Sequence, residues 1–319
     1  MLIYGTGVLA LLLFAATRYL VSDIEKRFPP IGSFAEVDGI RMHYVELQAD
    51  KPDLLTPVIF IHGASGNARD LFGAFAGPLK DRAHMLFFDR PGAGYSSRKA
   101  SGDERTEAQA DYLAGLMDQL GISRAIIVGH SLGGAVQAAF AVRHPQKVAA
   151  LLFVAPASHP WPGRDISWYY GITNLPVIGS IFANFLSTPA GMILYRDSVK
   201  SVFAPNKPPA DYPDRSATKL VLRPASFLAN AADVGALYDN NERLSARYGE
   251  ISAPTVIVSG DSDATVRADI HSEGLARQIA GSKLIWLPKT GHMPTYSATA
   301  RLVEELEKLD RVVTDLAAR

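Results

Sequence analysis

The chain contains no cysteine among its 319 residues, which removes disulfides, thiolate metal sites and cysteine nucleophiles together. It also lacks a net charge, because 32 basic residues balance 32 acidic ones. Without a positive field to hold a polyanion, nucleic acid is not expected as a partner. Repeats and low-complexity tracts are absent as well. The remaining composition, 48% hydrophobic and 20% charged, is that of a globular protein with ample material for a core.

The N-terminal segment departs from this average composition. Its first 17 residues carry no charged side chain, and residues 8–16 are continuously apolar. A membrane-spanning helix needs about 17–25 apolar residues, so the segment reaches the lower limit if Arg18 extends its charge to the membrane surface. We predict a single-pass anchor over residues 1–21 and a linker over residues 22–32, where a Pro-Pro pair ends any helix. A cleaved signal segment and a soluble helix are the alternatives. The basic residues that follow the segment favour a cytoplasmic location for its C-terminal side, and the orientation stays open.

Short apolar runs alternate with helical patterns from residue 33 onward. Two of these runs flank Asp38-Gly39, a dipeptide typical of hairpin turns, so the sheet is expected to open with an antiparallel pair. The later runs are continuously apolar, which is typical of strands covered by helices on both faces. The predicted strands are 33–37, 42–46, 58–61, 85–88, 125–128, 149–154, 254–259 and 283–287. With helices such as 104–120 and 133–143 between them, they predict a mostly parallel α/β sheet.

The segment G-H-S-L-G-G, residues 129–134, follows one predicted strand directly and precedes an Ala-rich helical pattern. This context is typical of a G-x-S-x-G nucleophile elbow, in which a strained turn presents a serine at a helix N-terminus. Ser131 is therefore the candidate nucleophile. A chance turn and a phosphate-binding loop are the alternative interpretations of the motif.

Three further motifs follow strands of their own: H-G-A-S-G at 62–66, D-R-P-G-A-G-Y-S at 89–96 and T-G-H-M-P at 290–294. Together with the elbow, they make the chain from about Phe34 to its C-terminus resemble the α/β-hydrolase superfamily, in particular its serine esterases and lipases. The resemblance implies an eight-stranded, mostly parallel sheet with helices on both faces and an inserted helical cap.

About a hundred residues without a strand pattern separate the sixth and seventh predicted strands, where this superfamily inserts its cap. We accordingly predict a core of residues 33–156 and 253–319 and a cap of residues 157–252. The cap includes a strongly apolar stretch, residues 172–186, and several aromatic residues near its start. Most of these side chains are expected to form the cap's own core, while others line an apolar substrate pocket.

The resemblance also supplies partners for the candidate nucleophile. A serine hydroxyl needs a base, and His292 holds that position in the last motif. The base needs an acid that fixes its tautomer. The family's acid usually stands three residues after the glycine that ends the penultimate strand, which is Asp263 here, and Asp261 is the alternative.

The oxyanion hole is expected to consist of the backbone N–H groups of Ala64 and Leu132, with the N–H of Ser65 as the fallback. His62 is expected to brace this loop through hydrogen bonds. Asp89 is interpreted as a structural residue of the D-R-P-G turn. The chain has no metal-ligand cluster and no dinucleotide-binding motif after the first strand, so no metal and no cofactor are expected.

These features predict a serine hydrolase that cleaves carboxylic esters of small to medium lipophilic substrates. Epoxide hydrolases and haloalkane dehalogenases of the same fold use Asp at the elbow, so Ser131 disfavours both. A C–C or thioester hydrolase with the same triad is the alternative. A ligand-binding receptor or scaffold with vestigial activity is the alternative from another class.

Overall fold

One mixed sheet of eight strands organises the computed structural model, which describes residues 2–49, 55–99 and 101–318, with side chains from Gly7 onward. The strands are β1 (Ser33–Val37), β2 (Ile40–Leu47), β3 (Leu55–Ile61), β4 (Ala83–Phe88), β5 (Ala125–His130), β6 (Val148–Val154), β7 (Thr255–Gly260) and β8 (Lys283–Leu287). Their order is β1-β2-β4-β3-β5-β6-β7-β8. Among the eight strands of this sheet, β2 alone runs in the opposite direction to the rest, so the predicted, mostly parallel sheet is confirmed.

The sheet opens with the predicted hairpin. Val37 pairs with Ile40, which leaves Asp38 and Gly39 as a two-residue turn. Both turn residues have positive φ, 47° and 81°, as a type I′ turn requires. The twist of such a turn matches that of the two strands, which explains the hairpin signal in the sequence.

The described residues form the helices α1 (Leu2–Arg27), α2 (Ala68–Phe75), α3 (Thr106–Gln119), α4 (Leu132–Arg143), α5 (Trp168–Thr173), α6 (Ile178–Phe182), α7 (Thr188–Phe203), α8 (Tyr212–Ser216), α9 (Pro224–Ser245), α10 (Ala268–Gln278), α11 (Pro294–Ser297) and α12 (Thr299–Ala317). Helices α3, α4 and α10 pack on one face of the sheet, and α2 and α12 pack on the other. Alternate residues of β3 enter two apolar clusters: Ile59 and Ile61 pack with α3 and α4, whereas Val58 and Phe60 pack with α2 and α12. This double burial explains why the strand sequences are continuously apolar.

Residues 155–254 connect β6 to β7 and contain the helices α5 to α9 but no strand. They lie where the helical cap was expected. A π-helical turn, Ala183–Ser187, joins α6 to α7. The cap bounds 157–252 and the core bounds 33–156 and 253–319 stay predictions. Met1 and Arg319, at the two ends of the predicted domains, lie outside the described residues.

The N-terminal helix α1 ends at Arg27, so residues 22–27 of the predicted linker are helical. The Pro-Pro pair stops the helix only after these residues, because a proline excludes helix from its own position and the one before it. Thr17, Val21 and Ile24, spaced four and three residues apart, are buried on one face of α1. That face packs against α7 and the π-helical turn, where the rings of Phe14 and Phe185 lie 5.6 Å apart.

Two segments are long and apolar enough to cross a membrane by length and composition, Gly7–Arg27 and Ile178–Phe203. The first half of α1 exposes apolar side chains such as Leu11 and Leu12. The segment around α6 and α7 exposes others, including Val177 (74%) and Ile193 (80%). Both apolar surfaces belong to elements that contact each other, α1 and the cap.

Candidate active site

Ser131 stands between the last residue of β5 and the first residue of α4, as the elbow motif predicts. Its φ of 54° and ψ of −123° are strained for a residue with a side chain, a conformation that is retained at functional turns. Glycine is required nearby, because a Cβ on Gly133 would collide with the carbonyl oxygen of Ile61. The turn at Ser131 therefore depends on glycine at position 133, because the end of the neighbouring strand β3 leaves no room there for a side chain.

The structure brings Ser131, His292 and Asp263 together. Nε2 of His292 lies 2.9 Å from Oγ of Ser131, and its Nδ1 lies 2.7 Å from Oδ2 of Asp263. The second carboxylate oxygen of Asp263 accepts the backbone N–H groups of Thr265 and Val266, at 2.8 and 3.0 Å. Burial by itself favours a higher pKa for Asp263. The hydrogen bond and charge of His292, together with these N–H groups, outweigh the effect of burial, and the pKa of Asp263 is lowered from its ordinary value. Asp263 is thus held as an anion that orients His292.

Asp261, the alternative acid, is exposed and accepts a hydrogen bond from the hydroxyl of Ser262 at 2.8 Å. The hydrogen bonds of the described residues do not join it to His292. The backbone turns after β7 so that the third residue beyond Gly260, not the first, faces the imidazole.

A second histidine, His130, fixes the backbone of the candidate base. Its Nε2–H donates to the carbonyl oxygen of His292 at 2.8 Å, and the two rings lie 5.0 Å apart. Burial, and next the proximity of His292, lowers the pKa of His130 to about 3. It therefore stays neutral and positions His292 through the main chain.

The loop at residues 62–66 lies directly against the nucleophile, since a Cβ on Gly63 would come within 2.9 Å of Cβ of Ser131. The hydrogen bonds among the described residues use neither the N–H of Ala64 nor that of Leu132. The N–H of Ser65, in contrast, donates to Oδ1 of Asn230 at 2.6 Å. Ser65 is thereby occupied, whereas the two N–H groups named first for the oxyanion hole remain available to a ligand.

His62 and Arg90 hold the loop at residues 62–66 in place through hydrogen bonds to its backbone. The backbone N–H of Arg90 donates to Nε2 of His62 at 3.0 Å, so Nδ1 carries the proton and donates to the carbonyl of Gly63 at 2.8 Å. Burial, reinforced by the Arg90 guanidinium, lowers the pKa of His62 to about 3 and keeps the ring neutral. The guanidinium also donates to the carbonyls of His62 and Gly63, at 3.1 and 3.2 Å.

Asp89 ties the D-R-P-G turn to its surroundings, as interpreted from the sequence. Its carboxylate accepts the N–H groups of Ala68 and Tyr95, at 2.6 and 2.7 Å, and lies 2.7 Å from Nδ1 of His43. Burial by itself favours a higher pKa for Asp89. The opposing contributions, of which the hydrogen bond and charge of His43 are the largest, outweigh it, so the pKa of Asp89 is lowered from its ordinary value. Asp89 is thus buried, and its carboxylate is occupied by these partners.

Two polar side chains of the cap helix α9, Asn230 and Asp233, lie near the site and were not identified from the sequence. Asp233 of α9 pairs with the buried Arg90, its Oδ2 lying 2.5 Å from Nη1. Asn230 of α9 also donates to the hydroxyl of Tyr170, at 3.1 Å. The sequence signal was weak, because Asn230 and Asp233 are two polar residues in an Ala-rich helical stretch without any motif.

A family model described as alpha/beta hydrolase fold matches residues 56–298, about three quarters of the chain. The chain belongs to this family. Its curated relatives include proteins named as a lipase and as a hydrolase, which supports its being a hydrolase. Three relatives indicate the range of its similarity. It is 27% identical to Lipase 3 of Moraxella sp. over 287 residues, which cover 87% of the chain and 82% of that lipase. It is also 27% identical to a 2-hydroxy-6-oxononadienedioate/2-hydroxy-6-oxononatrienedioate hydrolase of Klebsiella pneumoniae, over 82% of the chain and 87% of that protein.

A third relative matches only in part. The dihydrolipoyllysine-residue acetyltransferase component of the acetoin cleaving system of Cupriavidus necator is 40% identical over 124 residues, which are 39% of this alpha/beta hydrolase and 31% of that protein. Among solved structures, an esterase from Thermogutta terrifontis superposes with a TM-score of 0.69 at 21% identity, covering 88% of the chain and 100% of the esterase. A membrane phospholipase A superposes with a TM-score of 0.65 at 21% identity, covering 97% and 96%. At these identities the structural likeness shows the fold alone.

Proposed function

We propose that this alpha/beta hydrolase is a serine hydrolase that cleaves carboxylic esters of small to medium lipophilic substrates through an acyl-enzyme intermediate. The observation that carries the proposal is the continuous hydrogen-bond chain from Ser131 Oγ through His292 to Asp263, at 2.9 and 2.7 Å. Nucleophile and base within 2.6–3.2 Å, with the base oriented by a third group, is the arrangement that acyl transfer requires.

The proposed reaction has two halves. His292 takes the hydroxyl proton as Ser131 Oγ attacks the ester carbonyl carbon, and the N–H groups of Ala64 and Leu132 stabilise the oxyanion. The tetrahedral intermediate collapses as His292 returns the proton to the leaving alkoxide, which departs as the alcohol. Water, activated by the same imidazole, then attacks the acyl-enzyme and releases the carboxylic acid and free Ser131.

An aromatic cluster of the cap supports a lipophilic substrate. The hydroxyl of Tyr170 lies 3.4 Å from Oγ of Ser65, beside the oxyanion loop. From there the rings of Tyr169, Phe227 and Phe182 follow one another at 6.3 and 6.2 Å between centroids. A wall that is polar at the reacting end and aromatic beyond it suits an ester with an apolar acyl or alkyl group. The names of the lipase and esterase relatives agree with this substrate class.

A serine-reactive fluorophosphonate tests the proposal directly. The protein is expected to incorporate one label at Ser131, and Ser131→Ala is expected to lose about 10⁶ in kcat for p-nitrophenyl esters while remaining folded. Labelling of another residue with Ser131 untouched contradicts the assignment. Because one relative is named as a 2-hydroxy-6-oxononadienedioate/2-hydroxy-6-oxononatrienedioate hydrolase, the wild type and Ser131→Ala are also assayed with a thioester and with a 2-hydroxy-6-oxo-dienoate. Labelled protein that cleaves only one of these favours the alternative reaction, and unlabelled protein without activity favours a receptor or scaffold.

We propose further that the protein associates with a membrane through the N-terminal segment. The exposed first half of α1 and the exposed apolar residues of the cap form neighbouring surfaces, and a membrane phospholipase A shares the fold. Residues 2–16, which precede the buried face of α1, measure about 22 Å as a helix. The hydrocarbon core is about 30 Å thick, which corresponds to about 20 helical residues, so a single-pass anchor requires residues 17–21 of α1 to leave the cap. Insertion of the first half of α1 beside the cap requires no such rearrangement.

The absence of cysteine allows single-cysteine variants of the full chain to test this arrangement. Val177→Cys lies in the apolar cap surface, and Asp118→Cys, a similarly exposed position on α3, is the matched control. An environment-sensitive fluorophore at residue 177 is expected to shift to the blue with phosphatidylcholine vesicles, whereas one at residue 118 is not. Full-length protein is also expected to resist carbonate extraction. Extractable protein without a shift at residue 177 contradicts membrane association, and resistance without that shift favours a separate spanning anchor.

A further inference from the structure

The two peptide units that flank Ala64 are each held by a different set of side chains. In the first unit, the carbonyl oxygen of Gly63 accepts hydrogen bonds from Nδ1 of His62 at 2.8 Å and from the Arg90 guanidinium at 3.2 Å. Because a trans peptide is planar, its N–H points opposite to its carbonyl. The N–H of Ala64 is therefore directed away from His62 and Arg90.

In the second unit, the N–H of Ser65 donates to Oδ1 of Asn230 at 2.6 Å. The hydroxyl of Ser65 accepts from Nδ2 of the same asparagine at 3.3 Å, so one side chain grips this residue at two atoms. Ser65 needs such a restraint, since its φ of 59° is an uncommon conformation for a residue with a Cβ. Asn230 thus determines how the chain leaves Ala64.

Both restraints lead to one face of the cap helix α9. Asp233, three residues after Asn230 and therefore on the same side of the helix, holds Arg90 through the contact at 2.5 Å. Arg90 is only 1% exposed, and Gln109 is its other side-chain acceptor, at 3.0 Å. A shift of α9 would release Ser65 directly and would loosen Arg90 at the same time.

We propose that Asn230 is a positioning residue for the oxyanion hole: it aims the N–H of Ala64 at the substrate oxygen through the turn 63–65, with Asp233 assisting through Arg90. The hole is then complete only while α9 is seated on the core. This inference rests on the proposed ester hydrolysis at Ser131. It assigns to the cap, besides substrate contact, a direct share in stabilising the transition state.

The test compares an ester with its thionoester, in which sulfur replaces the carbonyl oxygen and accepts hydrogen bonds weakly. The test quantity is kcat/KM for the ester divided by kcat/KM for the thionoester. This ratio measures stabilisation by the oxyanion hole, and it is independent of the fraction of protein that is folded. Asn230→Ala is expected to lower this ratio about tenfold, less than the 10²–10³ lost when a hole donor is removed outright. The matched control is Asn240→Ala, which deletes a buried asparagine of the same helix that donates to the carbonyl of Glu104.

The ratio of the Asn240→Ala protein is expected to equal that of the wild type. An unchanged ratio in Asn230→Ala, with both substrates hydrolysed, overturns the inference and leaves the proposed function intact. Equal falls in both variants also overturn it, because they indicate general loosening of α9. Wild-type protein that hydrolyses neither substrate overturns the proposed function and the inference with it.

Discussion

Nδ1 of His292 lies 2.7 Å from Oδ2 of Asp263, while Asp261, an aspartate two residues earlier in the chain, faces solvent. Both carboxylates follow the same strand, β7, and only one of them is in contact with the imidazole. The backbone N–H groups of Thr265 and Val266 hold the remaining oxygen of Asp263, so its orientation is fixed. This difference makes the two aspartates a matched pair for experiment.

Asp263→Asn is expected to lower kcat by about 10⁴, because an amide can hold the imidazole in the wrong tautomer and cannot stabilise the imidazolium. Asp261→Asn, an identical chemical change two residues away, is expected to leave kcat within about twofold. Ester hydrolysis by the two purified variants checks this. The assignment is reversed if the greater loss occurs in Asp261→Asn.

The buried pair of Arg90 and Asp233 is expected to stabilise the contact between core and cap. Asp233→Asn leaves the buried Arg90 guanidinium without its carboxylate and also removes the charge that pairs with Arg98, at 2.7 Å. Breaking a buried pair costs about 3–5 kcal/mol. The measurement is the midpoint of urea unfolding. Asp269→Asn, which breaks an exposed pair with Arg267, is the control and is expected to leave the midpoint unchanged. Equal midpoints for both variants would show that Arg90 finds other acceptors.

Asp70 is expected to make stability depend on pH. It is 4% exposed, and its Oδ1 has no hydrogen-bond partner among the described residues. Burial raises its pKa to about 7, although hydrogen bonds from Tyr212 and Tyr296 oppose the shift. The unfolded chain releases this proton near pH 4 and the folded protein near pH 7, so the free energy of unfolding falls as pH rises between these values.

Asp70→Asn cannot ionise and so avoids this fall in the free energy of unfolding. Relative to the wild type, the free energy of unfolding of the variant is therefore expected to be higher at pH 8 than at pH 4 by several kcal/mol. Urea unfolding at both pH values measures the gain. Asp197→Asn, at an exposed aspartate of α7, is expected to differ from the wild type by the same amount at both. A pH-independent difference for Asp70→Asn would mean that this carboxyl is ionised throughout.

Activity is expected to rise with acyl-chain length until substrate solubility limits it. Each methylene that enters an apolar pocket contributes about 0.8 kcal/mol, which is about fourfold in kcat/KM. p-Nitrophenyl esters from acetate to decanoate, assayed below their solubility limits, provide the series. A steady decline from acetate onward would instead indicate a small-ester hydrolase whose cap aromatics form only the cap's own core.

Much of the fold and the identity of the candidate triad could be predicted because their signals are local. The central strands β5, β6 and β7 are buried on both faces, which explains their largely apolar sequences, and the Asp38-Gly39 turn has its own backbone preference. Ser131, Asp263 and His292 each follow a strand directly, within or beside a short motif. Parallel strands bring such loops to one edge of the sheet, and the resemblance to the α/β-hydrolase superfamily implied which residues of these loops would meet.

The contacts between cap and core could be decided only by the tertiary structure. Asn230 and Asp233 are ordinary polar residues of an Ala-rich helix until α9 lies on the oxyanion loop, and Arg90 becomes a brace only when Asp233 faces it. The burial of Thr17 and Val21 likewise depends on a cap more than 160 residues away in the chain, so an apolar segment that resembled a free anchor has one packed face. Periodicity and motifs report the preferences of neighbouring residues. Pairings between distant helices depend on shape and on polar groups that burial leaves in need of partners, and no local pattern encodes them.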